Sequence, residues 1–178
     1  MTAPKGSNPF TTEESSASEK FHTKIIHEVF EELKNKDPNW NKRHSVSLEE
    51  LFGRPCKYAL DFRKGKKNGK SLTYEADGGW IYYKDYLVGV AENKYQSNVT
   101  NAMERVHRYR GLIPDENLFV SINAPLKSAV AKVVESLDFF GVFLVVNVDD
   151  EDDFRKEVVK WFNNMKETVL NKKLNETT

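Results

Sequence analysis

The chain has a single cysteine, Cys56, which cannot form an internal disulfide, and no second cysteine or nearby histidine stands at metal-ligand spacing to it. Set among Pro55, Tyr58, Leu60 and Phe62, this thiol reads as a buried structural residue, and a reducing cytoplasm of prokaryotic type suits it. No apolar run approaches the roughly 18 residues of a membrane span. The basic start and apolar stretch of a secretory leader are missing too, so residues 1–18, polar and rich in Ser and Thr, read as a flexible lead. Net charge is also absent, because 27 basic and 27 acidic side chains cancel. Total charge therefore gives no vote for nucleic acid, but its distribution is uneven. Basic side chains gather at Arg63, Lys64, Lys66, Lys67 and Lys70 and again at Arg105, His107, Arg108 and Arg110, while acids gather at Asp149 to Asp153. A segregated surface can still track phosphates. Taken alone, the Gly-containing stretch 63–70 reads as a solvated turn.

What is present fits one core. At 178 residues with 39% hydrophobic and 12% aromatic content, residues 19–178 make one domain of ordinary size, domains commonly holding about 100–200 residues. Glu19 to Lys34 carries Phe21, Ile25, Val29 and Leu33 at four-residue spacing, which predicts an amphipathic helix ending by Asp37-Pro38, with His22 and His27 on its surface. Ser47-Leu48-Glu49-Glu50 resembles a capping box. Lys57 to Arg63, Ser71 to Glu75, Trp80 to Tyr83 and Tyr86 to Lys94 read as strands, the last two forming a hairpin closed near Lys84-Asp85. Asn98 to Tyr109 and Leu126 to Leu137 read as helices, and Asn117 to Asn123 as a strand. The nearly continuous apolar run from Phe139 to Val148 reads as a strand covered on both faces, and Phe154 to Leu170 as a closing helix. Alternating strand and helix in the second half implies parallel strands joined by crossovers. The expected class is α/β, a mixed five-stranded sheet flanked by helices.

Chemistry concentrates at the end of the hairpin. Residues two apart on a strand share a face, so Glu92 and Lys94 project together while Asn93 points the other way. Folding the hairpin about Lys84-Asp85 makes facing residue numbers sum to about 169 or 170, which sets Asp77 opposite Glu92 or Asn93, with directly opposed Cβ atoms about 4.5–5.5 Å apart. Two carboxylates this close need a shared proton or a cation, and hard oxygen ligands suit magnesium, with manganese as a substitute. Asp77 and Glu92 would hold the ion, the Asn93 backbone carbonyl could join them, and Lys94 would orient a water or stabilise the transition state. Gly78 and Gly79 would leave room beside Asp77 for a phosphodiester. Opposite charges alternating along an exposed strand give the same pattern without chemistry. The apolar lead of Leu87, Val88, Val90 and Ala91 runs straight into Glu92, however, and charges at such a core edge usually have a reason. The acids at Asp149 to Asp153 are most simply a helix N-terminal cap, and Trp40, Trp80 and Trp161 core or core-edge aromatics.

Three blocks in order carry a family resemblance: Glu75-Ala76-Asp77-Gly78-Gly79, Ala91-Glu92-Asn93-Lys94 and Asn101-Ala102-Met103-Glu104-Arg105-Val106-His107-Arg108. Together they resemble the EcoRI-like type II restriction endonucleases of the PD-(D/E)xK nuclease superfamily, over roughly a fifth of the chain. Ala76 stands where the family's proline is usual, and Thr100 where its subgroup has glycine. The resemblance implies a restriction-endonuclease-like fold with Asp77, Glu92 and Lys94 as the catalytic set. It implies double-stranded DNA as substrate and a homodimer on a short palindrome, leaving four-base 5′ overhangs. Asn101, Ala102, Glu104 and Arg105 would read an AATT-like core, since Asn pairs bidentately with adenine and an apolar side chain meets a thymine methyl. His107, Arg108, Lys66 and Lys67 would contact the DNA backbone. Two other readings stay open: a nuclease of the same superfamily acting in repair or on branched DNA, and a non-catalytic DNA-binding module.

Overall fold

Ile25, Ile26, Val29, Phe30 and Leu33 recur on one helical face, and all five are buried on α1 (Thr12–Lys36). The computed structural model describes residues 12–47, 50–51, 73–95, 109–125 and 127–176, with residues 12–20, 95 and 172–176 described by backbone alone. After α1, Asp37 turns the chain by accepting hydrogen bonds from the backbone and side-chain amides of Asn39. Then follow β1 (Trp40–Ser47), β2 (Thr73–Tyr83), β3 (Tyr86–Tyr95), a 3₁₀ turn at Asp115–Asn117, β4 (Leu118–Asn123), α2 (Ser128–Phe139), β5 (Phe143–Val146) and α3 (Glu151–Glu176).

The five strands form one mixed sheet in sequence order. β1, β2 and β3 are antiparallel neighbours, whereas β3–β4 and β4–β5 pair in parallel. Helices α1 and α3 cover one face, where Phe154, Val158, Trp161, Phe162 and Met165 pack with the α1 stripe against Ile81, Ala91 and Phe119. The other face carries Trp80, Val90, Tyr109, Leu118, Val120 and Ile122, closed by Val130 and Leu137 of α2. The expected mixed five-stranded α/β arrangement is therefore present. Among the described residues no helix is long and apolar enough to cross a membrane.

Several local expectations are corrected. β1 is a strand that the sequence pattern hides, because only Trp40 and Val46 on it are buried and its other side chains are polar. Thr73 to Glu75 and Trp80 to Tyr83, expected as parts of two strands, are one strand, β2, running through the glycines; Ser71 and Leu72 lie outside the described residues. The apolar run from Phe139 does not form one long buried strand. Phe139 ends α2 and is 84% exposed, Gly141 turns the chain at φ +77°, and only Phe143–Val146 pairs, as a half-buried strand flanked on one side by β4. The capping box holds in part, since Ser47 Oγ accepts from the Glu50 amide while the Glu50 carboxylate binds Arg43. Asp150 caps α3 by accepting from the Asp153 amide. The three tryptophans are core residues. The expected strand at Lys57 to Arg63, the expected helix at Asn98 to Tyr109 except for Tyr109 itself, and Cys56 lie outside the described residues.

His22 is the clearest departure. It is buried rather than on the helix surface, stacked on Phe154 with ring centroids 4.0 Å apart and hydrogen-bonded through Nε2 to the Val148 carbonyl. Desolvation pushes its pKa below the ordinary 6.5, against the smaller upward pulls of the Val148 bond and Asp149. The folded state therefore resists protonation more than the unfolded chain does. This stability is complete above pH 6.5 and drains away as pH falls through the lower folded-state value. Urea unfolding between about pH 7 and 5 should show stability falling with acidity, with His22→Gln removing part of that slope. An identical slope in the variant would contradict the assignment.

Candidate active site

β3 carries Val90 and Ala91, both buried, directly into Glu92, whose side chain is 2% exposed. A carboxylate taken so far from water needs partners. Glu92 has them: the Tyr109 hydroxyl donates to its Oε1 at 2.6 Å, and the Lys94 ammonium lies 3.2 Å from its Oε2. Tyr109 is itself held edge-on against Trp80, with ring centroids 4.9 Å apart. Lys94 Nζ also donates to Asp77 Oδ2 at 2.9 Å. One ammonium thus joins both acids, and their contacting oxygens lie no further apart than the sum of those two contacts.

Simple strand alternation does not deliver Asp77 to this spot. Gly79 pairs with Ala91 and Trp80 with Val90, so an undisturbed ladder would set Asp77 against Asn93, on the α1 face. Instead β2 bulges. Two steps along β1, from Arg43 to Ser45, oppose five steps along β2, from Trp80 to Glu75. Gly79 takes φ +99°, a conformation that L side chains rarely adopt, and Trp80 Nε1 clasps the bulge by donating to the Tyr74 carbonyl at 3.0 Å. The extra residues reverse the facing of the strand, and Asp77 meets Lys94 on the face of Glu92. Its side chain is 29% exposed against 7% for Lys94, so the cluster opens to solvent on the Asp77 side.

The glycines do not leave open space, contrary to expectation. A Cβ at Gly78 would stand 2.5 Å from Ala91 Cβ and 3.1 Å from Ile26 Cδ1, and one at Gly79 would stand 2.8 Å from Lys42 Cγ. They permit a bulge and a close approach of chain to chain, both filled by protein.

Asn93 behaves as its position on the strand predicts. Its side chain points to the opposite face, donating to Thr23 Oγ1 and accepting from Ser121 Oγ. Among the described residues no group of three His, Cys, Asp or Glu side chains could hold a metal ion. Asp77 and Glu92 suit an ion that takes one or two carboxylates and fills its other positions with water and substrate oxygens, which is magnesium's habit. The convergence of both acids on one cation, here an ammonium, fits that role.

Asn101, Ala102, Glu104, Arg105, His107, Arg108, Lys66 and Lys67 lie outside the described residues. Tyr109, the residue that follows that third block in sequence, is itself brought to the acid cluster by its contact with Glu92. Spacing alone gives no sign of the Tyr109 contact, because it links β3 to a residue beyond the strand pairing. A scan against protein-family models and a search of curated proteins each returned no match to this chain.

Replacing Tyr109 with Phe should lower stability by roughly 1.5–3 kcal/mol, the usual worth of a hydrogen bond to a charged group. Urea unfolding reads this directly, and an unaltered midpoint would mean that Glu92 does not rely on the phenol. Gly79→Ala should cost about 1–3 kcal/mol through backbone strain. A variant as stable as the parent would argue against the bulge.

Proposed function

We propose that this protein is a magnesium-dependent DNA endonuclease of the type II restriction kind, acting through Asp77, Glu92 and Lys94. The observation that carries the reading is the shared ammonium: two acids from different strands and one lysine converge at a buried strand end that opens to solvent beside Asp77. The acid–Glu-x-Lys order in sequence and the Asn-Ala-x-Glu-Arg block seven residues after Lys94 give it direction toward DNA.

Asp77 and Glu92 would hold the ion, with Tyr109 fixing the Glu92 carboxylate. Bound there, magnesium would supply Lewis-acid polarisation of a phosphate oxygen and a coordinated water of lowered pKa. Lys94 orients the attacking water and sets a positive charge beside the phosphorane as negative charge builds on its oxygens. In a site this poorly hydrated that charge is weakly screened, which favours the transition state over the ground state. Hydrolysis is completed as the attacking water gives up a proton to solvent, its oxygen bonds to phosphorus, and the bond from phosphorus to the sugar oxygen breaks, with solvent protonating that oxygen.

In this reading Asn101, Ala102, Glu104 and Arg105 select an AATT-like centre, while His107, Arg108, Lys66 and Lys67 hold phosphates. A two-fold dimer then meets a palindrome with one active site per strand and leaves four-base 5′ overhangs. Plasmid DNA incubated with magnesium should yield discrete fragments whose sequenced ends share one short palindrome. Lys94→Ala and Asp77→Asn should each lower cleavage on the order of a hundredfold or more. A smear or structure-dependent nicking would move the protein to the repair-type nucleases. Intact DNA with the parent protein, or undiminished cutting by Lys94→Ala, would remove the mechanism.

A further inference from the structure

Behind the acid cluster, on the opposite face of the sheet, runs a buried polar chain that the nuclease reading does not use. Asn93 Nδ2 donates to Thr23 Oγ1 of α1 at 3.1 Å, and Ser121 Oγ of β4 donates to Asn93 Oδ1 at 2.8 Å. Ser121 Oγ also lies 3.2 Å from Nδ1 of His22, whose Nε2 is 3.2 Å from the Val148 carbonyl ahead of α3. Asn93, Ser121 and His22 are each at most 2% exposed. Four polar side chains from α1, β3 and β4 are thus kept in an otherwise apolar layer, beside Phe154 and Phe119. Burying them costs free energy unless every group is bonded, and apolar residues of similar shape would pack there without that cost.

Strand geometry connects this chain to the site. Asn93 is the residue between Glu92 and Lys94, and it pairs in register with Ser121. Consecutive strand side chains leave on opposite faces, so holding the Asn93 side chain sets the rotation of β3 about its axis at that point. The same rotation sets the directions in which Glu92 and Lys94 leave the other face. Close apolar packing resists displacement but has little preference for direction beyond shape. Paired hydrogen bonds to two separate elements are directional.

Resting on the nuclease reading, we infer that Asn93 is a positioning residue. Thr23 and Ser121 lock its carboxamide so that the Lys94 ammonium is held between Asp77 and Glu92. The lock works through hydrogen bonds and not through the space the side chains fill.

Two variants at half-buried Thr23 separate those causes. Thr23→Val keeps the shape and removes the hydroxyl that accepts from Asn93, whereas Thr23→Ser keeps the hydroxyl and removes a methyl. The full-length protein is assayed in two ways: the rate of Lys94 acylation by acetic anhydride, followed by mass spectrometry, and kcat and KM for magnesium-dependent plasmid cleavage. Thr23→Val and Ser121→Ala should acylate at Lys94 on the order of tenfold faster and lose on the order of tenfold in kcat with KM little changed, since misplacement by a fraction of an ångström acts on the chemical step. Thr23→Ser should keep both near the parent values. Parent-like labelling in Thr23→Val, or damage in Thr23→Ser equal to that in Thr23→Val, would overturn the inference. If the parent protein cuts no DNA, the nuclease reading fails, and the labelling rates alone still decide whether Asn93 positions Lys94. Should Ser121→Ala not fold, the Thr23 pair carries the decision.

Discussion

The arrangement depends on a buried carboxylate that cannot be left alone. Glu92 sits where water is excluded, and the cost of its charge is offset by the Lys94 ammonium and the Tyr109 hydroxyl. A buried ion pair adds little to stability against apolar residues of similar size, yet breaking one from a single side is expensive. That asymmetry makes Glu92, Lys94 and Tyr109 a unit. Asp77 is different in kind: it shares the same ammonium but stands partly in solvent, so it is the most accessible member of the set.

Around that unit the fold is organised in opposing layers. On one face the cluster is fed by the bulge in β2, where Gly79 and the Trp80 clasp reverse the facing of Asp77. On the other face the Asn93 chain ties β3 to α1 and β4. The long helices α1 and α3 supply the rigid backing, with their aromatic and aliphatic stripes packed into a single cluster under the central strands. A charged site at a strand end keeps its geometry best when the strand beneath it is immobile, and here the strand is gripped from both sides.

Much of the frame was legible in the chain itself. Period-four apolar residues foretold α1 and α3, and the Lys84-Asp85 turn foretold the hairpin, whose partner numbers sum as expected on either side of its irregularity. Glu92 and Lys94 sharing a face followed from alternation alone. The rest was hidden for physical reasons. β1 is a polar strand with only two buried side chains, so it carries no period-two apolar signal. His22 looked like a surface residue because its partners, Ser121 and Val148, come from distant parts of the chain. Asp77 came close to the right place for an incomplete reason: a straight ladder would have sent it to the wrong face, and a bulge cannot be counted from pairing arithmetic. The glycines, read as leaving room beside Asp77, instead serve close packing and a positive φ.

The central claim is that Asp77 and Glu92 face one another closely enough to share a divalent cation. A crystal of the protein soaked in manganese, with anomalous scattering recorded at the metal edge, tests it most directly. The account predicts one peak bonded to carboxylate oxygens of both residues at about 2.0–2.5 Å, with Lys94 Nζ adjacent. An absent peak, or an Asp77 carboxylate on the α1 face of the sheet beside Asn93, would contradict it.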